Sequence, residues 1–302
     1  MLKTLGTLPM LHEHIDKLPG VKLPDSITFT TDLEETIKNN DILVLAVPSV
    51  FTRSTAEKMA PFVKDGQIIV CVAKGIEENT LMTISDVVEE EIPCADVAVM
   101  CGPSHAEEVG QMLPTTVVAG AGTQKTAETV QDLFMNEVFR VYTSPDVLGM
   151  ELGGSLKNVI ALAAGMADGL GYGDNTKAAL ITRGIAEISV LAIEMGAKAE
   201  TLFGLTGIGD LIVTCTSVHS RNRRCGMMIG QGVKPSEATE RVGMVVEGMF
   251  TTEAAYELAK SVGVEMPITE MIYKVITEQI DAREAVPALM KRDKKAEKED
   301  LV

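Results

Sequence analysis

Ile42-Leu43-Val44-Leu45-Ala46-Val47 is an unbroken apolar run, too short for a helix and rich in β-branched side chains. A short run without polar alternation suits a strand covered on both faces, as in a parallel sheet. Four more such runs follow: Gln67-Ile68-Ile69-Val70-Cys71-Val72-Ala73, Val97-Ala98-Val99-Met100, Thr115-Thr116-Val117-Val118 and Phe139-Arg140-Val141-Tyr142. Residues 32–39, 49–62, 83–91 and 124–136 lie between them and read as helices. Thr31 and Glu34 have the spacing of a capping box, one side chain bonding the third helical amide while the other reaches back. Strands alternating with helices build a mostly parallel, doubly wound sheet. Residues 1–143 therefore read as part of an α/β unit.

From residue 144 the strand signals nearly vanish. Long Ala/Leu/Ile/Met/Gly segments over 149–169, 176–195, 235–242, 251–262 and 268–278 predict an all-α unit spanning 144–290. Residues 291–302 are crowded with charge and read as a solvated tail.

The 302 residues suit two domains. Apolar residues make up 46% and charged ones 23%, ordinary values for a globular chain, which exclude collagen, coiled coil and wholesale disorder. With 27 basic against 43 acidic residues the net charge is −16, so phosphate backbones and anionic membrane surfaces are repelled and no nucleic-acid partner is expected. Five cysteines form an odd set without CxxC spacing, pointing to reduced thiols in the cytoplasm and away from disulfides or a zinc cluster. The first twenty residues are too polar for a signal peptide, and no run of about 18 uncharged apolar residues would span a membrane.

Four places carry chemistry. Glu151-Leu152-Gly153-Gly154-Ser155-Leu156-Lys157-Asn158 opens a segment that is small and apolar all round. A lysine there either reaches the surface along its stem or is desolvated, its pKa pulled toward neutrality. Gly204-Leu205-Thr206-Gly207-Ile208-Gly209-Asp210 leads into Thr214-Cys215-Thr216-Ser217-Val218-His219-Ser220-Arg221-Asn222-Arg223-Arg224. Its hydroxyl, guanidinium and amide donors suit an anionic oxygen group, or else form a turn with a solvated basic face. Ala73-Lys74-Gly75-Ile76-Glu77 stands at the carboxyl end of the second run, where doubly wound sheets bind ligands; a plain loop lysine is the alternative. Cys101-Gly102-Pro103-Ser104-His105-Ala106 ends the third run and invites a rival reading, a serine hydrolase with Ser104 on a strand-to-helix turn. Ala106 replaces the last glycine of that motif, and only His219 lies downstream as a base. No G-x-G-x-x-G, Walker A or HExxH occurs; Gly120-Ala121-Gly122 and Gly169-Leu170-Gly171 lack the third glycine.

Together these stretches, with Asp168 through Gly171 and Asp174 through Gly184, resemble the bacterial-type NAD(P)-dependent glycerol-3-phosphate dehydrogenases. The resemblance implies an α/β Rossmann-like domain followed by an all-α domain, an oxidoreductase interconverting sn-glycerol 3-phosphate and dihydroxyacetone phosphate, and a supply of glycerophospholipid precursor. It implies Lys157 as the proton acceptor, with Lys74 touching both substrate and cofactor. Gly102, Ser104, Asp210, Ser220, Arg221 and Asn222 correspond to substrate contacts. Ala106, Val245, Glu247 and again Arg221 correspond to contacts with NAD or NADP. A homodimer is the assembly the family implies. The family's first strand, glycine loop, helix and second strand are not found here, so the Rossmann-like unit is expected to be N-terminally incomplete, its sheet left with an unpaired edge and its cofactor affinity impaired. A chain so impaired could also serve as a non-catalytic interaction or dimerisation module.

Overall fold

The computed structural model describes residues 8–294 and Glu297. Five strands, β1 (Ile42–Leu45), β2 (Ile68–Cys71), β3 (Asp96–Cys101), β4 (Thr115–Ala121) and β5 (Phe139–Ser144), form one sheet in the order β1-β2-β3-β4-β5. Helices α1 (Leu8–Leu11), α2 (Leu33–Lys38), α3 (Thr52–Met59), α4 (Ile84–Glu91), α5 (Ala106–Val109) and α6 (Gln124–Phe134) belong to this half. Each predicted strand is present. The side-chain alternation of the strands sorts them between two cores. Leu43, Leu45, Ile69, Cys71, Val97 and Val99 pack on one face with Ile37, Ala56, Met59, Ile84 and Val88. Val70, Ala98, Val117, Ala119 and Val141 pack on the other with Ala127 and Val130 of α6.

Two expectations need correction. The sheet is mixed, because β3 and β4 pair antiparallel, with Cys101 opposite Val118. Only the one-turn α5 lies in the connection between them, too little for the helical crossover that a parallel pairing requires. The α2 cap is Asp32, whose carboxylate accepts from the Glu35 amide at 2.9 Å, and not the Thr31/Glu34 box. A capping box is found two helices later, where Thr83 and Asp86 start α4.

The other edge of β1 is unpaired among the described residues, as expected. Val44, aligned with buried Val70, is 49% exposed, so the far face of β1 has no cover. A groove of about 400 Å³ runs along that edge, lined by Leu33, Ile37, Ile42, Val44 and Val47.

After β5 the chain is helical: α7 (Val147–Gly169), α8 (Asp174–Glu194), α9 (Ala199–Leu202), a π-helical turn over Leu205–Gly209, α10 (Asp210–Thr216), α11 (Arg221–Gly230), α12 (Pro235–Val242), α13 (Glu247–Val262), α14 (Pro267–Ile276) and α15 (Ala282–Met290). Helix α7 is the axis, packed against α8, α10, α11, α13 and α14. Its length and composition would let it cross a membrane, but its apolar span is 89% buried inside the protein. A helix apolar all round is a core helix when other helices supply the cover.

The α7/α11 crossing is unusually close. A Cβ on Gly165 would lie 2.0 Å from the Arg223 carbonyl oxygen, and one on Gly226 would lie 2.1 Å from that of Leu162. Backbone meets backbone here, so no rotamer change can make room. Gly165→Val is expected to force the helices apart and lower the Tm by several degrees, the cost of overpacking a rigid core being roughly 1–3 kcal/mol or more. Thermal unfolding followed by circular dichroism checks this; a Tm equal to the wild type's would contradict the crossing as described.

Candidate active site

The carboxyl ends of β2 and β3 point at the middle of α7. There Asp210, at the start of α10, is almost fully buried and accepts from two ammonium groups. Lys157 donates to its Oδ1 and, at 2.8 Å, to Thr214 Oγ1. Lys74 donates to its Oδ2 at 2.6 Å and to the Gly102 carbonyl at 2.9 Å. The Lys157 side chain is 6% exposed and that of Lys74 21%, so Lys157 is the more desolvated of the two.

The electrostatics separate the two lysines. Burial lowers the Lys157 pKa to about 8, helped by the neighbouring Lys74 charge and opposed by Asp210. Burial also works against charge on Lys74, but the attraction of Asp210 outweighs it and raises that pKa above the ordinary lysine value. Burial would raise Asp210, yet the two ammonium groups hold its carboxyl below the usual aspartate range. Two cations on one carboxylate leave a buried net charge of +1 (2 − 1, from the two pairs). Losing one proton makes the cluster neutral, and Lys157 is the group poised to lose it.

Local sequence builds this geometry. Gly153, a turn before Lys157, lets the Thr206 carbonyl of the π turn come within 2.8 Å of where a Cβ would stand. That turn delivers Asp210 to Lys157, and π distortions are common where a functional side chain is re-aimed. Ser155 Oγ donates to the Gly75 carbonyl at 3.1 Å, tying the Lys74 loop onto α7. Glu151 accepts from the Ser85 amide at 2.9 Å and from its hydroxyl, fixing α4 to the same helix. Gly102 has φ +146° and packs a Cβ position 3.0 Å from Val117 Cα, so the turn offering its carbonyl to Lys74 tolerates no side chain.

The other sequence-predicted residues are held by contacts of several kinds. Ser104 donates to Gly102 O at 3.1 Å, and the His105 ring beside it lies 6.1 Å, centroid to centroid, from that of His219. Neither histidine bonds Ser104, so the nucleophile–base pair of a serine hydrolase is not formed. Ser220 caps α11 by accepting from the Arg223 amide at 3.2 Å. Arg221 follows, donating from one guanidinium nitrogen to the Val245 carbonyl at 3.0 Å and pairing with no carboxylate among the described residues. Asn222 is buried, its amide donating to Asn158 Oδ1 and its oxygen accepting from the Gly248 amide, both at 2.8 Å. Glu247 accepts from the Ser49 amide at 3.1 Å and from its hydroxyl, which links the two halves across the cleft. Ala106 is exposed at the rim.

Thr214 was not among the expected site residues. It lies four residues after Asp210, on one helix face, and reading 210–216 as helical would have paired them.

A mostly parallel α/β sheet joined to an all-α unit, with a buried lysine–carboxylate–lysine cluster at the strands' carboxyl ends, is the architecture of dinucleotide-dependent dehydrogenases. Within that class the chain belongs to the NAD-dependent glycerol-3-phosphate dehydrogenase family: residues 3–127 match its N-terminal part and 146–287 its C-terminal part. It is 82% identical over 290 residues to the glycerol-3-phosphate dehydrogenase [NAD(P)+] of Agathobacter rectalis, covering 96% of this chain and 86% of that one. The Bacillus subtilis enzyme of the same name is 53% identical over 295 residues, covering 97% of this chain and 86% of the relative. The crystal structure of glycerol-3-phosphate dehydrogenase from Coxiella burnetii superposes with a TM-score of 0.93 at 34% identity, over 96% of this chain and 89% of that one. The family expected from the sequence is the one found, and the hydrolase reading falls with it.

Proposed function

We propose that the chain interconverts sn-glycerol 3-phosphate and dihydroxyacetone phosphate with NAD or NADP, and that the Lys157–Asp210–Lys74 cluster performs the proton chemistry. The observation that carries this reading is the single buried carboxylate shared by two lysines of opposite pKa displacement. In the oxidising direction neutral Lys157 accepts the C2 hydroxyl proton through Nζ; in the reducing direction its ammonium returns that proton to the C2 oxygen. Lys74 stays charged and stabilises negative charge developing on that oxygen. Asp210 holds both amines in place, and Thr214 fixes the Lys157 rotamer.

The Arg221 guanidinium, held by the Val245 carbonyl but paired with no carboxylate among the described residues, provides in a chain of net charge −16 the fixed fork that a phosphate favours. Gly102, Ser104, Ser220 and Asn222 complete the substrate wall in this reading; Ser220 and Asn222 act chiefly by setting the start of α11. Lys74, Arg221, exposed Ala106 and the Val245–Glu247 stretch would hold the cofactor in the same reading. A nicotinamide held by these residues would supply the hydride chemistry at C2. Among the described residues no glycine-rich strand-to-helix turn is present for the pyrophosphate.

We assign residues 1–143 to the partial dinucleotide-binding unit, 144–290 to the helical unit and 291–302 to a charged tail. Of that tail Lys291–Lys294 and Glu297 are exposed, and the remainder lies outside the described residues. All five cysteines are free, which suits a cytoplasmic enzyme supplying glycerophospholipid synthesis. A homodimer is part of the same proposal. The test is consumption of NADH or NADPH dependent on dihydroxyacetone phosphate, with calorimetric titration of that substrate alongside. Saturable binding and turnover are expected. A chain that neither binds nor reduces the triose phosphate would overturn the reading.

A further inference from the structure

His105 is absorbed by none of the roles above, yet it stands beside the site, on the turn that carries Gly102 and Ser104. Its Nε2 is buried and has no hydrogen-bond partner in the protein. A buried polar atom without a partner is costly, and in a binding cleft it marks a place where a ligand atom belongs. The ring sits on the turn after β3, between Ser104 and Ala106, and faces His219 across the gap between the two halves. His219 directly precedes Ser220 and Arg221, the phosphate end of the proposed site. The charges of Lys157 and Asp210 also act on the ring. His105 thus faces the residue that leads into Ser220 and Arg221 and lies within the electrostatic reach of Lys157 and Asp210.

We propose that His105 is a substrate-contacting residue whose Nε2 bonds an oxygen of the phosphorylated three-carbon substrate, a terminal hydroxyl or a phosphate oxygen. Burial and the Lys157 charge keep the ring neutral, outweighing the pull of Glu107, Asp210 and Glu108 toward protonation. A neutral imidazole can donate to or accept from a hydroxyl, so its partner needs no charge. Hydride transfer and proton transfer are left unchanged by this contact. It orients the carbon chain so that C2 meets Lys157.

The inference rests on the substrate assignment above, and the test separates the two. Titration of the wild-type chain with dihydroxyacetone phosphate examines the assignment alone; absence of binding removes both. Given wild-type binding, His105→Ala is expected to weaken it about 10- to 100-fold, as for a lost hydrogen bond in a buried site. His105→Gln, which keeps an amide near Nε2, should recover part of the loss. The Tm should stay at the wild-type value, and the kcat should change far less than the KM. Acetol phosphate, which lacks the terminal hydroxyl, distinguishes the two oxygens. If the variant's loss shrinks with acetol phosphate the contact is to the hydroxyl, and if it persists the contact is to the phosphate. His105→Ala binding both ligands as tightly as wild type would overturn the proposal.

Discussion

Lys157→Ala is expected to lower kcat for both directions by about 10²- to 10⁴-fold, the usual contribution of a positioned general acid–base, while the protein stays folded. Folding should survive because Asp210 keeps its second partner: Lys74 still donates at 2.6 Å, so the carboxylate is not left alone. Lys157→Arg is the sharper variant. It preserves the positive charge, but a guanidinium holds its proton throughout the working range, so it cannot accept one from a hydroxyl. Both variants should be comparably slow, whereas a purely electrostatic role for Lys157 would leave the arginine form active. The wild-type pH profile follows from the pKa of about 8. Oxidation needs the neutral amine, so its rate should rise with pH through about 8. Reduction needs the ammonium, so its rate should fall as pH rises through the same region. Steady-state rates in the two directions, measured on one preparation, check the opposed limbs; limbs of the same sign would move the proton acceptor elsewhere.

Some of this was legible in the sequence because the physics is local. Five short runs of four to seven mostly apolar residues read as covered strands; each became a strand, although β1 and β5 keep one face exposed at Val44 and Tyr142. Lys157 and Lys74 stood out because a cation in an apolar helix, or at the end of a strand, is a local anomaly. The antiparallel turn of β4 could not be read, since it depends on what the chain between Gly102 and Pro114 fails to build. Helix α11 was missed for a different reason. Arg221-Asn222-Arg223-Arg224-Cys225-Gly226-Met227-Met228-Ile229-Gly230 begins with charge and contains two glycines, poor helix formers in isolation. Those glycines are what permit contact with the α7 backbone, so the residues that weaken the local signal create the tertiary one. Asp210 entered as a site residue through the resemblance, its local sequence reading only as the end of a glycine turn. The π turn packed on Gly153 is what brings it between the two lysines.

That hub is also where the fold has most to lose. Asp210→Asn removes the only anion in a cluster of two ammonium groups, leaving Lys157 and Lys74 facing one another in a site with little water. Stripping one partner from a buried ion pair typically costs about 3–5 kcal/mol, and a chain of this size loses roughly 2–4 °C of Tm for each kcal/mol. A Tm fall of about 6–20 °C is therefore expected, together with loss of turnover. The pH dependence identifies the cause. Without Asp210 the Lys157 pKa must drop further below its unfolded value of about 10.4, because burial and Lys74 both push it down and its main opposing influence is gone, leaving only the weaker one of Cys101. Between the folded and unfolded values the unfolded chain binds more protons, so stability rises with pH across that interval. The deficit of Asp210→Asn relative to wild type should accordingly narrow as pH is raised from about 6 to about 9, where Lys157 sheds its charge. Thermal melts of both proteins across that range measure it. A deficit independent of pH would mean that the variant is hurt by lost packing and not by uncompensated charge, and the electrostatic account of the Lys157–Asp210–Lys74 cluster would have to be abandoned.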